Sequence, residues 1–113
     1  MRPGFQEIPE ITVRQAWERL QEPNGEHRAV LIDVRERDEF AEGHAVPAVN
    51  LPLSELRGRE AEVPGDRDVL LICHLGQRSL YAARHLLRQG VTRVFNVDGG
   101  TDAWEHARLP MAR

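Results

Sequence analysis

One stretch of the chain combines residue types and spacing that suit chemistry: Cys73-His74-Leu75-Gly76-Gln77-Arg78-Ser79. It follows the apolar run Val69-Leu70-Leu71-Ile72, which reads as a buried strand, and precedes a helical pattern over residues 80–89. A cysteine at a strand end, followed by a tight turn and a helix start, faces backbone N–H groups and the positive end of a helix dipole. Such a place stabilises an anion. A thiolate there is a nucleophile, and the same N–H groups can hold an anionic substrate or a charged sulfur intermediate. The competing reading is a small buried hydrophobe, because cysteine is among the residues most often found in cores. The loop after Cys73 favours the reactive reading.

No residue stands beside Cys73 in the sequence as an obvious base. The loop's own dipoles are the expected activator, since a helix N-terminus can bring a thiol from about 8.5 to about 7 or below. Arg78, closing the loop, is a second, charge-based contributor with a structural or substrate-facing role. Ser79 reads as a hydrogen bonder at the helix start. A second polar group, Asp33, Arg35 and Glu36, follows the apolar run Ala29-Val30-Leu31-Ile32. Chemistry in parallel sheets collects at strand carboxyl ends, so this group shares an edge with Cys73 if the two strands are neighbours. Asp33 and Arg35 are expected to support the loop. Among the histidines, His44 is expected to orient its own loop, and His27, His85 and His106 to lie on the surface.

Composition removes several alternatives. All fifteen basic residues are arginine, so lysine Schiff bases, a pyridoxal site and a Walker-type phosphate loop are excluded. A single cysteine excludes an internal disulfide and zinc sites built on cysteine pairs, and no cofactor or metal is called for. The formal charge of −3 and the dispersed arginines give no reason to bind nucleic acid. The sequence shows neither an apolar run of membrane-spanning length nor an amino-terminal apolar h-region, and a cytoplasmic protein with no membrane partner is expected. At 113 residues, one domain over 1–113 is expected.

The elements that must position these groups alternate along the chain. Residues 1–11 read as an extended arm with a short edge strand near Glu7 and Ile8. Thr12 and Gln15 form a capping box for a helix whose inner stripe is Val13, Ala16, Trp17 and Leu20, stopped by Pro23-Asn24-Gly25. After the strand at 29–32 come a short helix at 36–42 anchored by Phe40, a short strand around Val49 between Pro47 and Pro52, and a weak helix at 53–61 with Leu53 and Leu56 inward. Past the Cys73 loop, Leu80, Ala83, Leu86 and Leu87 line one helix face, which Gly90 terminates. Val94-Phe95-Asn96-Val97 is a strand, Asp98-Gly99-Gly100 a close-packed turn near the site, and Asp102 opens a last helix carrying Trp104 as a core anchor and closed by Pro110. Strand and helix signals in alternation predict an α/β fold with a parallel sheet.

Several separated motifs together resemble the single-domain rhodaneses, a sulfurtransferase family. They are Asp33-Val34-Arg35-Glu36 with Glu39-Phe40 and Gly43-His44, then Ala48-Val49-Asn50-Leu51-Pro52, Cys73-x-x-Gly76-x-Arg78-Ser79, and Val97-Asp98-Gly99-Gly100 with Ala103-Trp104. They span about residues 29–104 in family order. The resemblance implies a five-stranded parallel sheet with helices on both faces, and an active loop at the carboxyl end of the central strand. It implies Cys73 as nucleophile, with His74, Leu75, Gly76, Gln77 and Arg78 forming the substrate-binding loop. Cys73 would take sulfane sulfur from a small-molecule donor such as thiosulfate or polysulfide, and a thiophilic acceptor, cyanide, a thiol or a protein sulfur acceptor, would remove it. The chain departs from relatives at Ala45-Val46-Pro47-Ala48, where an Ile-Pro-Gly-Ala turn is common. It also departs at His74, where arginine is common and histidine makes the loop's positive field pH dependent. Two alternatives follow from the same fold: a sulfur-relay or partner-binding module, and a phosphatase or arsenate reductase. Four residues separate Cys73 from Arg78, a loop shorter than that of the related phosphatases, which favours sulfur over a phosphate ester.

Overall fold

The computed structural model describes residues 7–23 and 25–113. The Pro3 and Gly4 arm and Asn24 of the expected turn lie outside them. In chain order the elements are β1 (Glu10–Ile11), α1 (Val13–Gln21), β2 (Val30–Asp33), α2 (Arg37–Glu42), β3 (His44–Ala45), β4 (Val49–Asn50), α3 (Leu53–Leu56), β5 (Val69–Ile72), α4 (Gln77–Arg88), β6 (Val94–Val97), α5 (Gly100–His106) and β7 (Met111–Ala112), with single 3-10 turns at Gly25–His27 and Glu60–Glu62.

Five parallel strands form one sheet in the order β1-β6-β5-β2-β4. The strand that leads into Cys73, β5, is the middle one, and β2 lies beside it in a register that sets Asp33 opposite Ile72. The two polar groups singled out from the sequence therefore share one edge of the sheet. Every residue of β5 is fully buried, as a strand covered on both faces must be. Side chains alternate along it: Val69, Leu71 and Cys73 join the core under α3 and α4, whereas Leu70 and Ile72 join the core under α1 and α5. This alternation turns the Cys73 side chain toward α4.

The helices cover the sheet through the stripes expected of them. On α1, Val13, Ala16 and Leu20 are buried and the Thr12–Gln15 capping box is formed. Trp17 meets the fully buried Trp104 of α5 edge-on, with ring centroids 6.0 Å apart. On α4, Ala82, Ala83 and Leu86 reach the opposite core. Among the described residues no helix is long and apolar enough to cross a membrane.

Several expectations are corrected. The edge strand is Glu10–Ile11 instead of Glu7 and Ile8, because pairing with Asn96 and Val97 of β6 decides its position. The helix after the Cys73 loop begins at Gln77 and not Leu80, and the last helix begins at Gly100 and not Asp102; in both cases a glycine with positive φ immediately precedes the first turn. The weak helix at 53–61 splits into α3 and a 3-10 turn. β3 and β7 form a separate antiparallel pair that local patterning did not reveal. His85 is buried, not superficial: its Nε2 lies 2.7 Å from Glu60 Oε2, joining α4 to the 3-10 turn. The Val46–Pro47 peptide is cis.

Candidate active site

Cys73 is buried at the carboxyl end of β5, where the chain turns sharply before α4. Gly76 makes the turn possible. Its φ of 107° is in the left-handed region that glycine adopts without strain, and it caps the amino end of α4. The backbone N–H of Gly76 donates to Cys73 Sγ at 3.1 Å and that of Ser79 at 3.3 Å. Ser79 Oγ lies 3.2 Å from the same sulfur. Burial pushes the thiol up, and the Ser79 hydroxyl, with the backbone N–H groups of Ser79, Gly76 and Leu75, outweighs it, so the Cys73 pKa falls below its ordinary value. Backbone dipoles favour the thiolate, as the sequence leads one to expect, but the largest favourable contribution comes from the Ser79 hydroxyl, and Arg78 is not among the leading contributors.

The loop is held from behind by α5. Thr101 donates to the Cys73 carbonyl through its backbone N–H at 2.8 Å and through its hydroxyl at 3.1 Å, and the Asp102 N–H donates to the His74 carbonyl at 3.1 Å. Gly100 lets the two backbones approach, since a Cβ there would collide with the carbonyls of Cys73 and His74. With the carbonyls of Cys73 and His74 bound to α5, the N–H groups that follow are free to converge on the sulfur.

Of the remaining loop residues, His74, Leu75 and Gln77 are exposed, and Leu75 has 56% of its surface in solvent. Arg78 is half-exposed and forms a two-pronged pair with Glu39 of α2, at 2.7 and 3.0 Å. The hydrogen bonds from Arg78, ahead of the cost of burial, hold the Glu39 carboxyl down to about 2. Arg78 thus ties α4 to α2, and its charge is balanced by a carboxylate. A cleft of about 320 Å³ opens beside the loop, with His74, Arg35 and the carboxylates Glu39, Glu42, Asp102 and Glu105 in its lining.

Asp33 and Arg35 are brought to the same edge, and their hydrogen bonds go elsewhere. Arg35 Nη2 donates to Asp33 Oδ2 at 2.9 Å and to the Gly43 carbonyl at 2.7 Å; its Nε bridges both oxygens of Asp33. Asn50 of β4 donates to the carbonyls of Asp33 and Arg35. This buried pair fixes the turn from β2 into α2, and its link to the reactive loop runs through Glu39 on that helix. His44 does orient its loop, with its ring stacked on Phe40 and Nδ1 at 2.8 Å from the Phe40 carbonyl.

Sequence reasoning missed Thr101 and two further residues. Asn96 of β6 accepts a 2.6 Å hydrogen bond from the Ser79 hydroxyl and donates to the Gly76 carbonyl at 3.0 Å. Glu10 of β1 accepts from the same Asn96 amide at 2.8 Å. The available signal was a lone amide inside the apolar strand Val94–Val97, at a position whose alternation matches Val94 and faces α4.

The family model described as rhodanese-like domain matches residues 12–107. An uncharacterized protein of Bacillus subtilis, YqhL, is 44% identical over 80 residues, which cover 71% of this chain and 64% of that one. The chain thus spans a little under two thirds of that relative's length. A protein of Allochromatium vinosum named sulfurtransferase is 40% identical over 82 residues, covering 73% of this chain and 77% of that one. Among solved structures, a rhodanese-related protein from Thermoplasma volcanium superposes with a TM-score of 0.79 at 28% identity, over 93% of this chain and 98% of that one.

Proposed function

This chain belongs to the rhodanese-like family, and from that premise we propose that it is a sulfurtransferase in which Cys73 carries sulfane sulfur as a persulfide. The observation that carries the reading is the convergence of the Gly76 and Ser79 N–H groups and the Ser79 hydroxyl on a single buried sulfur. The name of the Allochromatium relative supports the same reaction class.

The Cys73 thiol first loses its proton to solvent. The thiolate attacks the outer sulfur of thiosulfate or polysulfide; a new S–S bond forms as the donor's bond to that sulfur breaks, and sulfite or the shortened polysulfide leaves with the electron pair. The outer sulfur of the persulfide carries the negative charge, and the loop N–H groups stabilise it. An acceptor, cyanide, a small thiol or a protein thiol, then attacks that sulfur, and Cys73 departs as thiolate. His74, Leu75 and Gln77 are the exposed loop residues that meet donor and acceptor. No cofactor enters any step. A lone thiol that cycles through its thiolate suits the reducing cytoplasm, where we place the protein. Arg78 is matched with Glu39 and not left open for a phosphate dianion, which supports sulfur transfer over phosphate ester hydrolysis.

Intact mass spectrometry after incubation with thiosulfate or polysulfide tests the reading. The expected result is a gain of one sulfur, removed by cyanide and missing in Cys73→Ser. No adduct with any sulfane donor, or hydrolysis of an aryl phosphate without sulfur transfer, would overturn it.

A further inference from the structure

Ser79 has one hydroxyl proton and two buried neighbours that can receive it. Its Oγ lies 3.2 Å from Cys73 Sγ and 2.6 Å from Asn96 Oδ1. Ser79 is 0% exposed and Asn96 1%, so water does not supply a substitute partner. The Asn96 amide cannot turn over. Its NH2 group donates to Glu10 Oε2 at 2.8 Å and to the Gly76 carbonyl at 3.0 Å, so its oxygen must face Ser79. With Cys73 as a thiol, the donors therefore run in one direction: Cys73 S–H to Ser79 Oγ, and Ser79 O–H to Asn96 Oδ1. Ionisation of Cys73 removes the first donor and creates a stronger acceptor. The Ser79 hydroxyl then turns to the sulfur and leaves Asn96 Oδ1 without its donor in a buried place, which opposes the change.

We propose that Asn96, held in one orientation by Glu10, is a positioning residue that sets the thiolate level of Cys73 through the Ser79 hydroxyl. It keeps the hydroxyl proton while the sulfur is neutral and yields it when the sulfur is charged. The extension to the loaded enzyme rests on the sulfur-transfer reading. In the persulfide, Cys73 Sγ is a neutral sulfide with the charge on the outer sulfur, and the hydroxyl returns to Asn96. When an acceptor removes that sulfur, the hydroxyl turns back to the departing thiolate. Other charged or titratable groups around the loop are Arg78 with Glu39 from α4 and α2, Asp33 with Arg35 from β2, His74 in the loop, and Asp102 from α5. None of them works through the Ser79 hydroxyl, whereas Asn96 acts only through it.

That difference gives the test. Cys73 is the only cysteine, so thiolate absorbance and the rate of alkylation by iodoacetamide report it alone. Asn96→Ala removes the competing acceptor, and the thiolate fraction at a fixed pH below the midpoint is expected to rise about fivefold, the effect of one hydrogen bond. In a Ser79→Ala background the same substitution is expected to change nothing. A fall in thiolate, no change in either background, or an equal change in both would overturn the proposal, since a merely structural Asn96 acts without Ser79. If Asn96→Ala does not fold, the Asn96 side-chain amide resonances decide. They are expected to titrate with Cys73 in the unaltered protein and to lose that titration in Ser79→Ala; an identical titration in both overturns the proposal. None of these readouts needs sulfur transfer. Loading without coupling fails this proposal alone, and coupling without loading fails the sulfurtransferase reading alone.

Discussion

β2 and β5 are neighbouring parallel strands, and at the same edge of the sheet β2 ends in the buried Asp33 while β5 leads into the buried Cys73. At the end of β2, Asp33 meets a guanidinium two residues on, and the Arg35 donors are absorbed by that carboxylate and the Gly43 carbonyl. At the end of β5, Cys73 meets donors that the turn and the first helical residues leave over, and they converge on one polarisable atom. The first corner is a closed exchange of fixed charges. The second collects dipoles around a group that can gain a charge, and that difference separates a clamp from a reactive site.

Removing one partner at each corner should separate the two roles. Asp33→Ala strands a buried guanidinium and is expected to cost about 3–5 kcal/mol of stability, read from denaturant unfolding. The alkylation rate of Cys73 in the folded fraction should stay within about twofold, because the pair's hydrogen bonds do not reach the sulfur. A rate that collapses with stability would place Asp33 in the reactive machinery and break the contrast.

Gly100→Ala works from the other side. The added Cβ falls on the Cys73 and His74 carbonyls and the residue has a φ of 60°, so the loop must shift. A loss of about 2–3 kcal/mol is expected, with a drop of about tenfold or more in persulfide loading as the N–H groups lose their aim. Wild-type loading in this variant would mean that the α5 contact is dispensable.

The smallest effect is the pH profile. Alkylation of Cys73 should show a midpoint below about 8.5, the ordinary thiol value, because the loop's hydrogen bonds outweigh burial. The ionised form is the one favoured by folding, so its contribution to stability is present above the unfolded value and is lost as pH falls through the folded midpoint. Glu39 does not contribute to that profile. Its carboxyl is held near 2, so the stability its pair with Arg78 contributes is present above 4.5 and is lost only in acid, as pH falls through about 2. A midpoint at or above about 8.5 would mean that the loop's hydrogen bonds do not outweigh burial of the sulfur.

What the sequence determined by itself is local and periodic. Apolar runs bounded by turn residues placed β2, β5 and β6, the stripes of α1 and α4 chose the faces those helices bury, and the Thr12 cap fixed the start of α1. The same locality made the Cys73 loop legible, because a strand end, a glycine turn and a helix start are adjacent in the chain and their N–H groups must meet there. Helix starts at Gln77 and Gly100 were misjudged because they depend on a glycine φ that composition does not state. The partners of the site were decided only by the tertiary structure. Glu39 meets Arg78 across 39 residues, and Glu10 meets Asn96 across 86, once the sheet order sets β1, β6 and β5 side by side. The burial of His85 against Glu60 and the pairing of β3 with β7 were hidden for the same reason. A hydrogen bond between distant residues has no periodicity to betray it; it exists only when other elements, packing for their own apolar faces, deliver both groups to one place.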